Sequence, residues 1–184
     1  MIKLTTQQLA QIFNASLIGD GQVVVENINT DTRKALSNSL FFALKGEHFD
    51  AHQYLEQAVE QGATALVVQY PNTEIATPQL VVADTRLALG QLAKWLREKI
   101  NPRTVAMTGS SGKTTVKEMT ASILQQTSGN PEAVLFTNGN FNNDIGVPLT
   151  LLRLTEQHKF AVIELGANHQ GEIDYTTHLA QPEA

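Results

Sequence analysis

Leu9, Ile12 and Phe13 recur at helical spacing behind the polar pair Thr5-Thr6, which predicts a short threonine-capped helix over Thr6 to Ala15. Shorter runs follow. Val23 to Val25, Leu40 to Leu44, Ala65 to Val68 and Leu80 to Val82 are apolar or β-branched stretches bounded by turn residues, the pattern of strands in a small sheet. A helix over His52 to Gln61 interrupts them, and Gly62 ends it. Arg86 to Lys99 is a further amphipathic helix. Its stripe of Leu89, Leu92, Trp95 and Leu96 reads as core or an interdomain face rather than a ligand box, with Lys94, Arg97 and Glu98 off it.

Asn101-Pro102 breaks that helix, because proline cannot continue the backbone ladder, and an apolar strand begins at once. We therefore expect a small N-terminal α/β domain over residues 1–101 and a second domain over residues 102–184. The second offers a strand, a helix over Val116 to Gln126, a strand at Val134 to Phe136, an asparagine-rich loop, a short helix near Pro148 to Leu152, and a strand at Phe160 to Leu165. Alternating β and α elements imply a parallel sheet with helices on both faces. Such a sheet normally holds more strands, so the chain reads as the truncated front part of a longer polypeptide.

The composition excludes several classes. A formal charge of −5 and a pI near 5.5, with no Lys/Arg-rich run, argue against a nucleic-acid partner. The absence of cysteine rules out disulfides and thiolate metal sites and fits a reducing compartment. Neither a secretion signal nor an apolar run long enough for a bilayer is present, so a cytoplasmic protein without membrane insertion, working as a monomer, is the expectation. His48 and His52 lie four apart but have no third ligand nearby in sequence, which disfavours a metal pair.

Thr108-Gly-Ser-Ser-Gly-Lys-Thr-Thr115 carries the chemistry, lying between an apolar strand and a helix. Gly109 and Gly112 let the chain bend so that successive N–H groups at Ser110, Ser111 and the helix start converge on phosphate oxygens. Lys113 adds positive charge near the terminal phosphates. The hydroxyl of Thr114 suits the Mg2+ that accompanies a nucleoside triphosphate, and Thr115 beside it belongs to the phosphate-binding turn. The usual glycine five positions before Gly112 is replaced by Met107, so the match is to the shorter Gly-x-x-Gly-Lys-Thr form. The bland alternative is a Gly-Ser turn that precedes a lysine.

That loop, Asn138-Gly-Asn-Phe-Asn-Asn-Asp-Ile-Gly-Val-Pro148 and Val162-Ile-Glu-Leu-Gly-Ala-Asn-His-Gln-Gly-Glu172 together resemble the Mur ligases of bacterial cell-wall synthesis. Upstream, Asn29-Thr-Asp-Thr-Arg-Lys34 and Phe41-Phe-Ala-Leu-Lys-Gly-Glu-His-Phe-Asp-Ala-His52 strengthen the resemblance, which covers essentially the whole chain. It is nearest to the branch that adds D-alanyl-D-alanine to UDP-N-acetylmuramoyl-tripeptide in peptidoglycan synthesis, and so serves cell shape and division.

The resemblance implies a domain for the uridine diphosphate end of the substrate, a central phosphate-loop ATPase domain, of which this chain holds the first part, and a C-terminal domain. The implied reaction transfers the ATP γ-phosphate to a substrate carboxylate, and an amine attacks the resulting acyl phosphate. Lys113 is then expected at the β/γ-phosphates as the catalytic cation, and Thr114 and Glu164 at Mg2+. Glu164 ends an apolar strand at the carboxyl edge of the sheet, where ligands of such folds bind; the alternative is a solvated strand-end carboxylate. Asn138, Asn140, Asn142 and Asn143 are expected to approach the muramoyl-peptide, although an Asn/Gly cluster alone reads as a turn. Asn168 and His169 are expected in the same cleft, with an ordinary polar loop position still open for His169. Thr32, Arg33, Lys45 and Gly46 are expected around the uridine diphosphate; without the resemblance they read as surface residues.

The resemblance further implies that adenine contacts, a second metal-binding histidine and a modified lysine lie beyond residue 184, so this chain alone is expected to be inactive in ligation. A competing reading is a stand-alone UDP-sugar or nucleotide-binding module without catalysis. A small kinase or GTPase is disfavoured, since acceptor and guanine-reading motifs are not seen. Folylpolyglutamate synthases share the ATPase plan, but Asp31-Thr-Arg33 argues for the muramoyl branch.

Overall fold

A computed structural model describes residues 3–34, 37–46 and 49–184, so His48 lies outside the described residues. The chain divides into two compact units, Met1–Leu89 and Gly90–Ala184. The division falls inside a helix that the sequence reading assigned wholly to the first domain.

In the first unit, β1 (Leu4–Thr5) leads into α1 (Thr6–Phe13) through a capping box: the Thr5 hydroxyl accepts from the Gln8 N–H, and the Gln8 side chain accepts from the Thr5 N–H. β2 (Ser16–Ile18), β3 (Val24–Val25), β4 (Asn27–Asn29) and β5 (Ser39–Phe42) follow. Asp50 then caps a 3-10 turn (Ala51–Tyr54), which runs into α2 (Leu55–Glu60), so the expected single helix over 52–61 starts as a tighter turn. β6 (Ala63–Val68) and β7 (Gln79–Val81) complete a five-stranded sheet of order β2-β7-β6-β5-β4. Its pairs are parallel except β2 with β7, and β1 and β3 form a separate antiparallel ribbon. The continuous apolar runs of β5 and β6 suit strands covered on both faces, and Phe41, Leu66 and Val68 bury against Ala51, Leu55 and Ala58.

α3 (Thr85–Ile100) follows, and in its C-terminal half Arg97 departs from the expected exposed face. It is 4% exposed, and its guanidinium donates to the Ala180 and Gln181 carbonyls and to the Asn101 side chain, each within 2.9 Å. A planar fork can satisfy several carbonyls at once, which makes burial tolerable where a periodicity reading expects solvent.

The second unit continues with β8 (Arg103–Met107), α4 (Lys113–Ser128), a 3-10 turn (Pro131–Ala133), β9 (Val134–Phe136), α5 (Gly146–Leu151), β10 (Phe160–Glu164) and α6 (Glu172–Ala180). The sheet order is β8-β10-β9, all parallel. Val105, Met107, Val134, Phe136 and Val162 pack with Ala121 and Leu124 of α4. Because strand side chains alternate, Leu135, Ala161 and Ile163, also buried, fill the opposite face. α6 was not expected from sequence: its polar run Asp174-Tyr-Thr-Thr-His178 leaves too weak an apolar stripe.

Candidate functional site

The site grows from the register of β8 against β10. Met107 is the pairing partner of Glu164, so the phosphate loop leaves one strand at the level where Glu164 ends its neighbour. Glu164 shares strand parity with Val162 and therefore lies on the face that α4 covers. The loop turns at Gly109 (φ +148°) and Gly112 (φ +77°), backbone states that L side chains rarely adopt. Gly112 is the N-cap of α4, and no side chain caps it. The first-turn N–H groups of Lys113, Thr114 and Thr115 thus form an uncapped positive helix end. Ser110, Ser111, Thr114 and Thr115 are exposed, and Lys113 Nζ donates to the Gly109 carbonyl at 2.5 Å, folded back over the loop.

Glu164 is 2% exposed. Its Oε1 accepts from the Asn142 amide at 2.9 Å, its backbone N–H donates to the Thr137 hydroxyl at 3.0 Å, and its Oε2 is buried without a hydrogen-bond partner. A buried carboxylate oxygen left bare costs free energy, whereas a hard cation takes such an oxygen as a ligand. Among the described residues no cluster of three His, Cys, Asp or Glu could hold a metal. A Mg2+ ion that keeps phosphate and water ligands needs only one or two protein oxygens. The residues present therefore fit the ion.

The structure separates the asparagines. Asn142 is tied to Glu164, and its carbonyl accepts from the Gly166 N–H at 2.7 Å. The Asn143 side chain accepts from the Gly146 N–H at 2.7 Å and so anchors the start of α5. Asn140 is exposed, its carbonyl accepting from the Asn142 N–H. Asn138 lines a depression with Phe141, Leu149, Thr150 and Arg153, and burial pushes the Arg153 guanidinium below its usual pKa. Asn168 and His169 are exposed on the turn before α6, where their N–H groups donate to Glu172 Oε2.

In the first unit, Arg33 forks onto Asp31 at 2.9 and 2.8 Å, and hydrogen bonds from the Arg33 side chain and backbone hold Asp31 well below the usual carboxylate range. The Thr32 hydroxyl lies 3.4 Å from Gln57 Oε1. Lys45 pairs with Asp50 across an isolated bridge, its ammonium 3.9 Å from Oδ2, and the Gly46 N–H donates to the Phe49 carbonyl. Thr32-Arg33 and Lys45-Gly46 thus fall in separate turns, each with its own partners.

Sequence reasoning missed the ring cluster beside Lys45. Buried His52 stacks on Tyr70 at 4.1 Å, places Nδ1 at 2.6 Å from Asp50 Oδ1, and accepts from the Gln69 N–H at Nε2. Nε2 is an acceptor, so the proton sits on Nδ1 and points at Asp50. Burial works to raise the Asp50 pKa, but hydrogen bonds from Tyr70 and from His52 outweigh it and hold the carboxyl at about 2. The other residue missed was Lys117, one turn beyond Lys113 on α4 and 1% exposed. The four-residue spacing was the available signal.

Comparison with known proteins finds relatives for both units. A family model described as the Mur ligase middle domain matches residues 107–184, and one described as Mur ligase family, catalytic domain, matches residues 24–97. The UDP-N-acetylmuramoyl-tripeptide–D-alanyl-D-alanine ligase of Haemophilus influenzae is 80% identical over the whole chain, and the Escherichia coli enzyme of that name is 56% identical. The chain spans 40% and 39% of their lengths. A crystal structure of MurF from Acinetobacter baumannii superposes on 99% of the chain and 40% of its own, with a TM-score of 0.92 at 48% identity. The Thermotoga maritima MurF structure in complex with ADP superposes on 86% of the chain and 36% of its own, with a TM-score of 0.76 at 27% identity.

Proposed function

The chain belongs to the Mur ligase family, and on that premise we propose that it forms the N-terminal part of an ATP- and Mg2+-dependent ligase joining D-alanyl-D-alanine to UDP-N-acetylmuramoyl-tripeptide. The observation that carries the proposal is the bare Oε2 of buried Glu164 at the strand end paired with Met107, where the phosphate loop begins. The relatives' names supply the substrates, and the ADP complex of the Thermotoga maritima protein supports an adenine nucleotide as a ligand.

The reaction joins two poor partners. A carboxylate resists an amine until one of its oxygens becomes a phosphate leaving group, and its approach to a triphosphate brings anions together. The N–H groups at the start of α4 and the Lys113 ammonium offset that charge in this reading. Thr114 and Glu164 would hold Mg2+, which supplies further positive charge at the phosphates when bound. Asn142 keeps the Glu164 carboxylate turned toward the loop, Asn138 and Asn140 line the approach for the muramoyl-peptide, and Asn168 and His169 border it. Thr32, Arg33, Lys45 and Gly46 would receive the uridine diphosphate end.

By itself the chain, at about 40% of its relatives' length, would bind ligands without completing ligation. Among the described residues no helix is long and apolar enough to cross a membrane, which is compatible with a cytoplasmic role acting on a soluble nucleotide-sugar. Calorimetric titration with UDP-N-acetylmuramoyl-tripeptide, uridine diphosphate and free tripeptide tests the reading. Saturable binding that needs the uridine diphosphate end and weakens in Arg33→Ala and Lys45→Ala supports it. A folded sample that binds none of these, and no MgADP, overturns it.

A further inference from the structure

We propose that Lys117 is a positioning residue for metal binding: from inside α4 it fixes Thr137, which fixes Glu164. This rests on the phosphate-site reading above and extends it to a residue with no expected ligand contact. The Lys117 ammonium is 1% exposed and donates to the Thr137 carbonyl at 2.7 Å. Thr137 is fully buried, its N–H donates to the Val162 carbonyl at 3.1 Å, and its hydroxyl accepts from the Glu164 N–H at 3.0 Å. A continuous chain of bonds therefore runs from the second turn of the phosphate-loop helix, through the residue that follows β9, to the backbone of the one buried carboxylate among the described residues.

Alternative duties for Lys117 account for less. Its ion pair with Glu118, at 2.7 Å, joins it to an adjacent, half-exposed side chain that stays as well solvated with an exposed lysine. The Phe136 ring lies 5.8 Å from the ammonium, at the limit of a useful cation–π contact. Burying a cation is costly, and a methionine would fill the same space without that penalty. What methionine cannot do is hold the Thr137 carbonyl. Lys113 and Lys117 lie one turn apart on the sheet-facing side of α4, so the same helix that would present donors to phosphate also sets the height of Glu164. Outer partners of this kind orient metal ligands rather than touch the metal.

The test is the Mn2+ dependence of ADP binding, with Mn2+ as a paramagnetic probe for Mg2+. Free Mn2+ is read by electron paramagnetic resonance and ADP by calorimetry, on the wild type, Lys117→Met, Thr137→Val and Glu164→Gln. We expect Lys117→Met to weaken Mn2+ binding in the presence of ADP by roughly tenfold, with metal-free ADP binding changed less than twofold. Thr137→Val retains the carbonyl that Lys117 holds but loses the hydroxyl that holds Glu164, and it should show the same selective loss. Its buried isostere keeps the fold testable if Lys117→Met does not fold. Wild-type Mn2+ affinity in a folded Lys117→Met or Thr137→Val protein overturns the proposal, as does a loss of thermal stability alone. If the wild type shows no Mn2+-dependent ADP binding, or Glu164→Gln leaves it intact, the phosphate-site reading itself fails and this inference falls with it.

Discussion

The Asn142 side-chain amide holds Glu164 Oε1 at 2.9 Å, while the sister oxygen Oε2 is buried with no hydrogen-bond partner. One oxygen is fixed and the other is bare. Asn142→Asp turns that donor into a second carboxylate facing the first, and like charges this close cannot both ionise freely. One of the pair then holds its proton with a raised pKa. The sign follows: the variant is destabilised at pH 7 and recovers, relative to the wild type, as the pH falls toward 5. Urea unfolding at the two pH values measures it, and added Mg2+ should narrow the gap at pH 7.

Gly146 sits where no side chain fits. A Cβ there would lie 2.5 Å from both Cα and the carbonyl carbon of Phe141, which are backbone atoms and cannot swing away. Gly146→Ala should therefore cost about 2–4 kcal/mol by forcing the asparagine loop off the start of α5. Denaturant unfolding gives the number, and a loss below about 0.5 kcal/mol would show that the loop yields freely.

Arg97→Ala strips the Ala180 and Gln181 carbonyls at the end of α6 of their donor. Hydrogen bonds to a charged donor contribute about 1.5–3 kcal/mol each, so a total loss on the order of 3 kcal/mol is expected. Arg97→Lys should recover only part of it, since an ammonium lacks the planar fork. Limited proteolysis checks the location: cleavage should speed up first within residues 172–184.

Asp50 titrates near 2 in the folded protein against an ordinary value of 3.8, so its contribution is complete above pH 4 and is lost as the pH falls toward 2. Tyr70→Phe removes the hydroxyl that donates to Asp50 Oδ2. The folded-state pKa should rise toward the ordinary value, and the acid-unfolding midpoint should move to higher pH. Carboxyl NMR titration of Asp50 reads the shift directly, and an unmoved pKa would assign the lowering to the His52 contacts instead.

How much of this was legible in the chain depends on what each residue does. The turn between a strand and a helix was readable from its glycine spacing, and the strand that ends at Glu164 from its apolar run, because backbone geometry dictates both. Arg97 carried no such signal, and Lys117 only its four-residue spacing from Lys113, for the converse reason. Charged residues at helical positions are assigned to solvent by periodicity, and only tertiary carbonyls such as those of Ala180 and Thr137 reverse that assignment. The asparagine loop fell between these cases. Its amides were recognisable as polar contacts, but Asn142 at the carboxylate and Asn143 at a helix start are neighbours with identical side chains, and only the path of the backbone separates their roles.

The pairing of Met107 with Glu164 also sets a rule for how this protein tolerates length changes. Side-chain direction in a strand reverses at every residue, so one codon inserted or deleted within Phe160–Glu164 would turn the carboxylate to the sheet's far side while carrying Ile163 into the α4 face. Two codons would restore the direction but shift the group by one full repeat along the strand. Gains and losses at Glu156 and Gln157, exposed on the turn ahead of β10, leave the register untouched. The constraint on this segment thus falls on the count of residues up to Glu164 as well as on the buried side chains themselves.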